Sequence, residues 1–286
     1  MQSIVRSKHH TFLFTGKPLS NASVTYLSPS FGLLLSVAYD GTAFHGWASQ
    51  RGVRTVEETL RGAVLAMDPR VDRLRGTSRT DAGVHAEEQY VAFDSFRELD
   101  PRAWVMGLNQ HLPSDLAVRT ACRVPAGFHP RFAARSKRYC YRIAIDPLRH
   151  PFYHHRAWRI DHTLNLEQMQ REAESAEGEH DFSAFRSSQD RRESAQRRLH
   201  KVEITQVSSS LLNLVVAGDA FLHNMVRILV GTMVDVGRGR CRPGAIARAL
   251  TSGDRRDAGI TAPAHGLTLE SIDLALPEER SDFWPP

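Results

Sequence analysis

Arg79-Thr80-Asp81-Ala82-Gly83-Val84-His85-Ala86 decides how the chain is read. An arginine stands two residues before an aspartate, and Ala-Gly follows the aspartate at once. The stretch falls between the apolar positions of 71–74, read as a strand end, and the alternating run 90–96, read as a strand. Glycine lets a second molecule approach backbone where a Cβ would block it. A nearby guanidinium keeps a carboxylate charged and can fix its direction through two parallel hydrogen bonds. A free, oriented carboxylate can serve as nucleophile or base. The competing reading is a turn aspartate that accepts backbone N–H bonds, and for an isolated Asp-Ala-Gly that reading is the stronger. Eight specified residues in a row favour a site.

Helices and strands alternate on both sides of this motif. The run 33–39 reads as a buried strand ending in an Asp-Gly turn. Thr55-Val56-Glu57-Glu58 has the form of a capping box, and Val56, Leu60, Val64 and Met67 share one face of the helix it opens. Asp68-Pro69 ends that helix. Asp100-Pro101 starts another, with Trp104, Leu108 and Leu112 in one stripe. Strands are expected over 116–124 and 138–145; in the second, Tyr139, Tyr141, Ile143 and Ile145 share a face. The segment 146–161, rich in Pro, His and Arg, reads as a crossing between lobes. A helix over 166–176 is stopped by Gly178. The polar, Arg-dense stretch 181–198 reads as a mobile loop, and 200–207 with 211–217 as a hairpin closed by a serine turn. A helix over 221–236, a short one over 243–250 and a final strand over 267–274 complete the chain. The interleaving implies an α+β fold with a mainly antiparallel central sheet flanked by helices. The expected division is a disordered leader over 1–30, an N-terminal α+β lobe over 31–145 carrying Asp81, and a C-terminal α+β lobe over 146–286.

The chain has 286 residues, 41% of them hydrophobic, enough for one large or two modest domains with a real core. Net charge is +5, supplied mostly by arginine, which favours a phosphate-bearing or acidic partner. The three cysteines, Cys122, Cys140 and Cys241, are scattered and odd in number, so a disulfide framework is not expected and a reducing cytoplasm is. No apolar run reaches the length that spans a membrane. The first 39 residues lack Asp and Glu and are rich in Ser, as an organelle transit peptide is, but their arginine is sparse, which favours a disordered leader or an upstream start codon.

The motif around Asp81 resembles the signature of the tRNA pseudouridine synthase A family. Further segments match in order: Tyr39-Asp40-Gly41-Thr42 with Gly46-Trp47 and Gln50; Trp104-Val105-Met106-Gly107-Leu108-Asn109 with Leu112-Pro113; and Phe128-His129-Pro130-Arg131-Phe132 before Lys137-Arg138-Tyr139-Cys140-Tyr141. Asp181-Phe182-Ser183-Ala184-Phe185-Arg186, Phe221-Leu222-His223-Asn224-Met225-Val226-Arg227 and Ala262-Pro263-Ala264-His265-Gly266-Leu267 follow. The likeness runs over about 33–274. It implies isomerisation of uridine to pseudouridine in the anticodon stem-loop of tRNA, at positions 38, 39 and 40. It also implies two lobes sharing a sheet with an RNA cleft between them, a homodimer, and no cofactor or metal. Two departures stand out: Ser78 where the family commonly has Gly, and Thr268 where it often has Tyr.

Within that resemblance Asp81 is the expected catalytic residue. It either attacks the target nucleotide and stays linked to it, or promotes loss of the uracil, while the base turns and rejoins through C5. Breaking a C–N glycosidic bond builds positive charge at C1′, which a carboxylate stabilises or traps. Arg79 is expected to pair with Asp81 or a phosphate. Arg227 lies mid-helix on the polar side of an apolar pattern, where a snorkelling side chain is the plain alternative; the resemblance implies that it faces Asp81. Tyr139 offers a flat ring for stacking on a flipped base and a phenol that the resemblance makes a candidate to take the C5 proton. Core packing is the alternative for Tyr139 and the preferred reading for Tyr141. Arg186, Arg191, Arg192, Arg197 and Arg198 form a candidate RNA-binding loop, against the reading of a solvated charged loop.

His85-Ala86-Glu87 matches the start of a zinc deaminase signature, but the required Pro-Cys-x-x-Cys is missing. His150, His154 and His155 lack the Cys or acidic partners of a metal site. Two other classes stay open. A glycosidase-type enzyme would use Asp81 with a second carboxylate, for which Glu87 or Glu88 is the near candidate. An RNA-binding protein without catalysis is the other.

Overall fold

The computed structural model describes residues 31–278 and 281–285, so the leader expected over 1–30 lies outside the described residues. In chain order come β1 (Phe31–Tyr39), α1 (Val56–Met67), β2 (Arg75–Gly76), β3 (His85–Ser95), α2 (Pro101–His111) and β4 (Leu116–Val124). α3 (Pro130–Ala133), β5 (Ala134–Ile145), β6 (Trp158–Ile160), α4 (Leu166–Ala176) and β7 (Gly178–Asp181) follow. The chain continues through β8 (Gln196–Ser208), β9 (Leu211–Gly218), α5 (Met225–Gly237), α6 (Ala245–Ser252), β10 (Leu267–Leu274) and β11 (Ser281–Trp284). The strands form one mixed sheet in the order β11-β4-β1-β3-β10-β5-β9-β8-β7, with β2 on β3 and β6 on β5. Only the β3–β10 and β5–β6 pairings are parallel; the other pairings are antiparallel. The fold is therefore α+β, as its pattern of hairpins and interspersed helices implies.

Helices flank the sheet because each carries an apolar stripe that only the sheet can cover. Leu60 and Val64 of α1, Trp104 and Leu108 of α2, Met169 of α4 and Ile228 and Leu229 of α5 join one continuous core with Leu33, Leu35, Phe93, Tyr141 and Leu214. A smaller cluster, Leu34, Ala92, Cys122 and Val124, covers the opposite face. The placement of β10 matters most for the site. It runs parallel to β3, pairing Thr268 with His85, and antiparallel to β5, pairing Leu269 with Tyr139. It thereby joins the strand that follows Asp81 to the strand that carries Tyr139, with β10 between them.

Several elements depart from the sequence reading. Val71 and Leu74 are buried without strand geometry, and the strand lies just after them at β2. β3 begins at His85, five residues early, so the end of the Asp81 motif is itself strand. Thr55 precedes α1, but its hydroxyl is buried without a partner and makes no cap hydrogen bond, so no reciprocal capping box forms. α5 starts at Met225 instead of 221, because Asn224 takes the left-handed conformation (φ 64°), which asparagine tolerates better than most residues. The expected loop over 181–198 is shorter: Arg197 and Arg198 stand on β8. The edge strand β11 has no counterpart in the sequence reading.

Candidate functional site

The turn that carries Asp81 is clasped from behind. The Tyr39 hydroxyl and Thr80 Oγ1 are 2.8 Å apart, and the Trp47 N–H donates to the Thr80 carbonyl at 3.0 Å. Gly83 (φ 78°) donates to the Phe44 carbonyl, and Val84 N–H donates back to the Asp81 carbonyl. Gly46 (φ 90°) lies so close that a Cβ there would sit 2.7 Å from the Thr80 carbonyl oxygen. With Thr80 buried and the backbone occupied, the Asp81 side chain is left pointing out, 24% exposed.

Both oxygens of that carboxylate meet a basic nitrogen. Arg227 Nη1 on α5 lies 3.2 Å from Oδ2, and His223 Nε2 lies 3.3 Å from Oδ1. Arg227 is itself fixed: Nε donates to the Ala262 carbonyl at 2.8 Å and Nη1 to Asn224 Oδ1 at 2.8 Å. Arg79, by contrast, is exposed and makes no hydrogen bond or ion pair with any described residue. The pairing expected between Arg79 and Asp81 is thus replaced by one from a helix 146 residues away. The two-residue offset turns the Arg79 side chain outward while the turn buries Thr80.

Tyr139 is buried, its ring edge-on to Phe221 at 5.0 Å between centroids. Its hydroxyl lies 3.4 Å from Ser78 Oγ. Ser78 is held by Gln89, whose amide nitrogen donates to the Ser78 carbonyl and whose Oε1 accepts from the Ser78 N–H. Burial pushes the Tyr139 phenol up to about 12; the Ser78 hydrogen bond eases the shift and the Asp81 charge adds to it. At neutral pH the phenol is therefore protonated. Tyr141 fills the core, with its hydroxyl donating to the Pro263 carbonyl at 2.8 Å. Two residues before Tyr139, Lys137 is partly buried, and its side chain has no hydrogen bond or ion pair with any described residue. Its pKa is pushed down to about 8 by burial, and further by Arg131 and Arg192.

The five arginines of the expected RNA loop divide. Arg191 and Arg198 are exposed and unpaired among the described residues. Arg186 donates to the Arg192 carbonyl at 3.0 Å, and half-buried Arg197 donates to the Ser194 carbonyl at 3.2 Å. Arg192 is committed: it grips Asp190 with Nε at 2.9 Å and Nη2 at 2.6 Å, and donates to the Phe221 carbonyl at 2.8 Å. The loop is a built structure around Asp190, not a free ribbon of charge, and Arg192 serves that structure.

His223, Lys137 and Phe221 were not singled out as site residues from sequence. Reading 221–236 as continuous helix hides His223, whose contact to Asp81 depends on the turn at Asn224. The two carboxylates that could have partnered Asp81 are engaged elsewhere. Glu87 meets Arg142 at 3.3 Å, and Glu88 accepts from the Tyr90 hydroxyl at 2.8 Å. His85 is buried at the start of β3, accepting from the Gly41 N–H and lying 3.1 Å from Asp40 Oδ1. Thr268 is buried within donor range of Arg142 Nη1, at 3.3 Å. Among the described residues no three or more His, Cys, Asp and Glu side chains are grouped to hold a metal. None of the described helices is long and apolar enough to cross a membrane.

A carboxylate held by two basic side chains, beside a buried tyrosine, suits chemistry on a polyanionic substrate with a cationic transition state. The comparisons agree with that class. A family model described as tRNA pseudouridine synthase matches residues 35–133 and 173–273, which include Asp81, His223 and Arg227, while Tyr139 falls between the two segments. The chain is 43% identical over 239 residues to a tRNA pseudouridine synthase A of Citrifermentans bemidjiense, covering 83% of this chain and 95% of that one. It is 41% identical over 239 residues to one of Geobacter sp. strain M21, covering 83% and 96%. A relative from Pseudothermotoga lettingae is 39% identical over 239 residues, covering 83% and 97%. Among solved structures, a chain from a Cbf5-Nop10-Gar1 complex aligns at TM-score 0.33 and 13% identity over 82% of this chain and 57% of that one, too low to argue from. The chain belongs to the tRNA pseudouridine synthase family.

Proposed function

We propose that the protein converts uridine to pseudouridine in the anticodon stem-loop of tRNA, at positions 38, 39 and 40, with Asp81 as nucleophile. The observation that carries this reading is Asp81 itself, partly exposed on a clasped turn and met at both oxygens by Arg227 and His223. Substrate and product are isomers. The N1–C1′ bond breaks, the carboxylate stabilises or traps C1′, the base turns, C5 bonds to C1′, and the C5 proton is lost as N1 gains one. Tyr139 supplies a ring beside the base, and as a protonated phenol it can donate a hydrogen bond. Arg79, Arg191 and Arg198, all exposed and with side chains unpaired among the described residues, and Lys137 supply phosphate contacts along a cleft between the two lobes, divided at residue 145. The enzyme works as a cytoplasmic homodimer and uses no metal or cofactor.

Nucleoside analysis of tRNA after incubation with the protein tests this against the other classes. Pseudouridine at unchanged mass is the expected result. Free uracil with an abasic site would indicate a glycosidase, and bound but unaltered tRNA would indicate a binding protein.

A further inference from the structure

The loop 186–192 is buckled to the four residues that precede α5. Ser187 N–H donates to the His223 carbonyl at 2.9 Å, and His223 N–H donates to Asp190 Oδ2 at 2.8 Å. Arg192 closes the buckle by gripping the Asp190 carboxylate while donating to the Phe221 carbonyl. The Asp190 side chain is only 3% exposed, and the Arg192 hydrogen bonds hold it well below the usual carboxylate range. Charge-assisted bonds of this kind are the strong ones. They hold a segment that is not helical and includes a left-handed asparagine, a conformation that persists only where its surroundings enforce it.

Two of the side chains that this segment projects reach the site directly. Phe221 abuts the Tyr139 ring and His223 abuts Asp81. The terminal torsion of an aspartate is broad, so one contact from Arg227 leaves the carboxylate free to swing. A second contact, on the other oxygen and from a different element, fixes its plane.

We propose that His223 is a positioning residue for Asp81, set in place by the Asp190–Arg192 buckle. The proposal rests on Asp81 being the catalytic carboxylate. His223 Nε2 holds Oδ1 as Arg227 holds Oδ2, so the attacking lone pair keeps one direction. The 3.3 Å separation is long for a hydrogen bond, and such contacts often tighten only when substrate is bound. Arg192, placed by sequence among the RNA contacts, acts here on the rate of reaction.

The test is single-turnover pseudouridine formation, with tRNA affinity measured beside it, for wild type, His223→Leu, His223→Gln, Asp190→Asn, the double variant His223→Leu/Asp190→Asn, and Asp81→Asn. Misplacing a reacting group by about 1 Å can cost about a hundredfold in rate. His223→Leu is expected to slow by that order with affinity little changed. His223→Gln, whose amide can donate to Oδ1, is expected to recover most of the loss. Asp190→Asn is expected to slow turnover in wild type but to add little to His223→Leu, because both act through one contact. If the Asp190 variants do not fold, the two His223 variants carry the test. Equal rates for His223→Leu and His223→Gln, or a wild-type rate for His223→Leu while Asp81→Asn is inactive, would overturn the proposal and leave the Asp81 assignment standing. Turnover by Asp81→Asn would instead remove the reading on which the proposal rests.

Discussion

At the level of single residues, the site is a set of competing demands on a few polar atoms. Tyr139 shows this best. It shares a buried face with apolar neighbours, so the sequence reading favours function with packing as the alternative; the structure adds a Ser78 hydroxyl 3.4 Å from its phenol and the Asp81 charge near it. Ser78 is the departure from the family pattern that the sequence could flag but not interpret, because its effect lies in a side chain 61 residues away. Tyr139→Phe should keep the stacking ring but lose the phenol's hydrogen bond, slowing chemistry by about a hundredfold with tRNA affinity unchanged. Tyr139→Ala should also lose affinity, by ~1–3 kcal/mol for a stacked base. A wild-type rate for Tyr139→Phe would limit Tyr139 to stacking. Lys137 gives a prediction in pH. Its ammonium is charged below about pH 8 and is lost above it. A phosphate favours the charged form, so the contribution of Lys137 to tRNA affinity should be full below pH 8 and fade as pH rises. The affinity gap between wild type and Lys137→Met, titrated from pH 6.5 to about 9.5, should close on the alkaline side; a constant gap would place Lys137 away from RNA.

Whole elements were legible where local pattern and tertiary packing agree. β4, α4 and β10 fall on the expected residues because alternation or helical period is strict there and turn residues bound each run. Legibility failed where a side chain overrides the period. The left-handed Asn224 cuts a turn from α5, and the buried Asp190 converts an Arg-dense stretch into a buckle. Neither leaves a mark in hydrophobic spacing, and both decide the site. The arginines of this stretch therefore separate by element. Replacing exposed Arg191 and Arg198 with Ala should flatten the salt dependence of tRNA binding by about one to two units, at 0.7–0.9 for each phosphate contact, without changing the turnover rate of bound tRNA. Arg192→Ala should do the reverse, slowing turnover with little change in slope. Binding titrations at several salt concentrations, run beside single-turnover rates, distinguish these outcomes. An unchanged slope in the double variant would take Arg191 and Arg198 out of the RNA site.

Over the whole molecule, one mixed sheet joins what the sequence divides. β5 comes from the first half of the chain yet pairs on both sides with strands of the second, β9 and β10. Long-range pairing of this kind has no local signal, so the α+β class was legible but the strand order was not. The same pairing brings together Asp81, Tyr139 and Arg227, which lie far apart in sequence, and the ordered family motifs alone anticipated that meeting. The proposed chemistry needs only these side chains, so activity should persist in excess EDTA; a fall to background restored by zinc would mean that a metal takes part. The most direct test of the account uses tRNA labelled with tritium at C5 of uridine. Isomerisation makes C5 the attachment point and releases that hydrogen to water. Wild type should release tritium in step with pseudouridine formed, while Asp81→Asn should bind the same tRNA and release none. Release by Asp81→Asn at the wild-type rate would contradict the account.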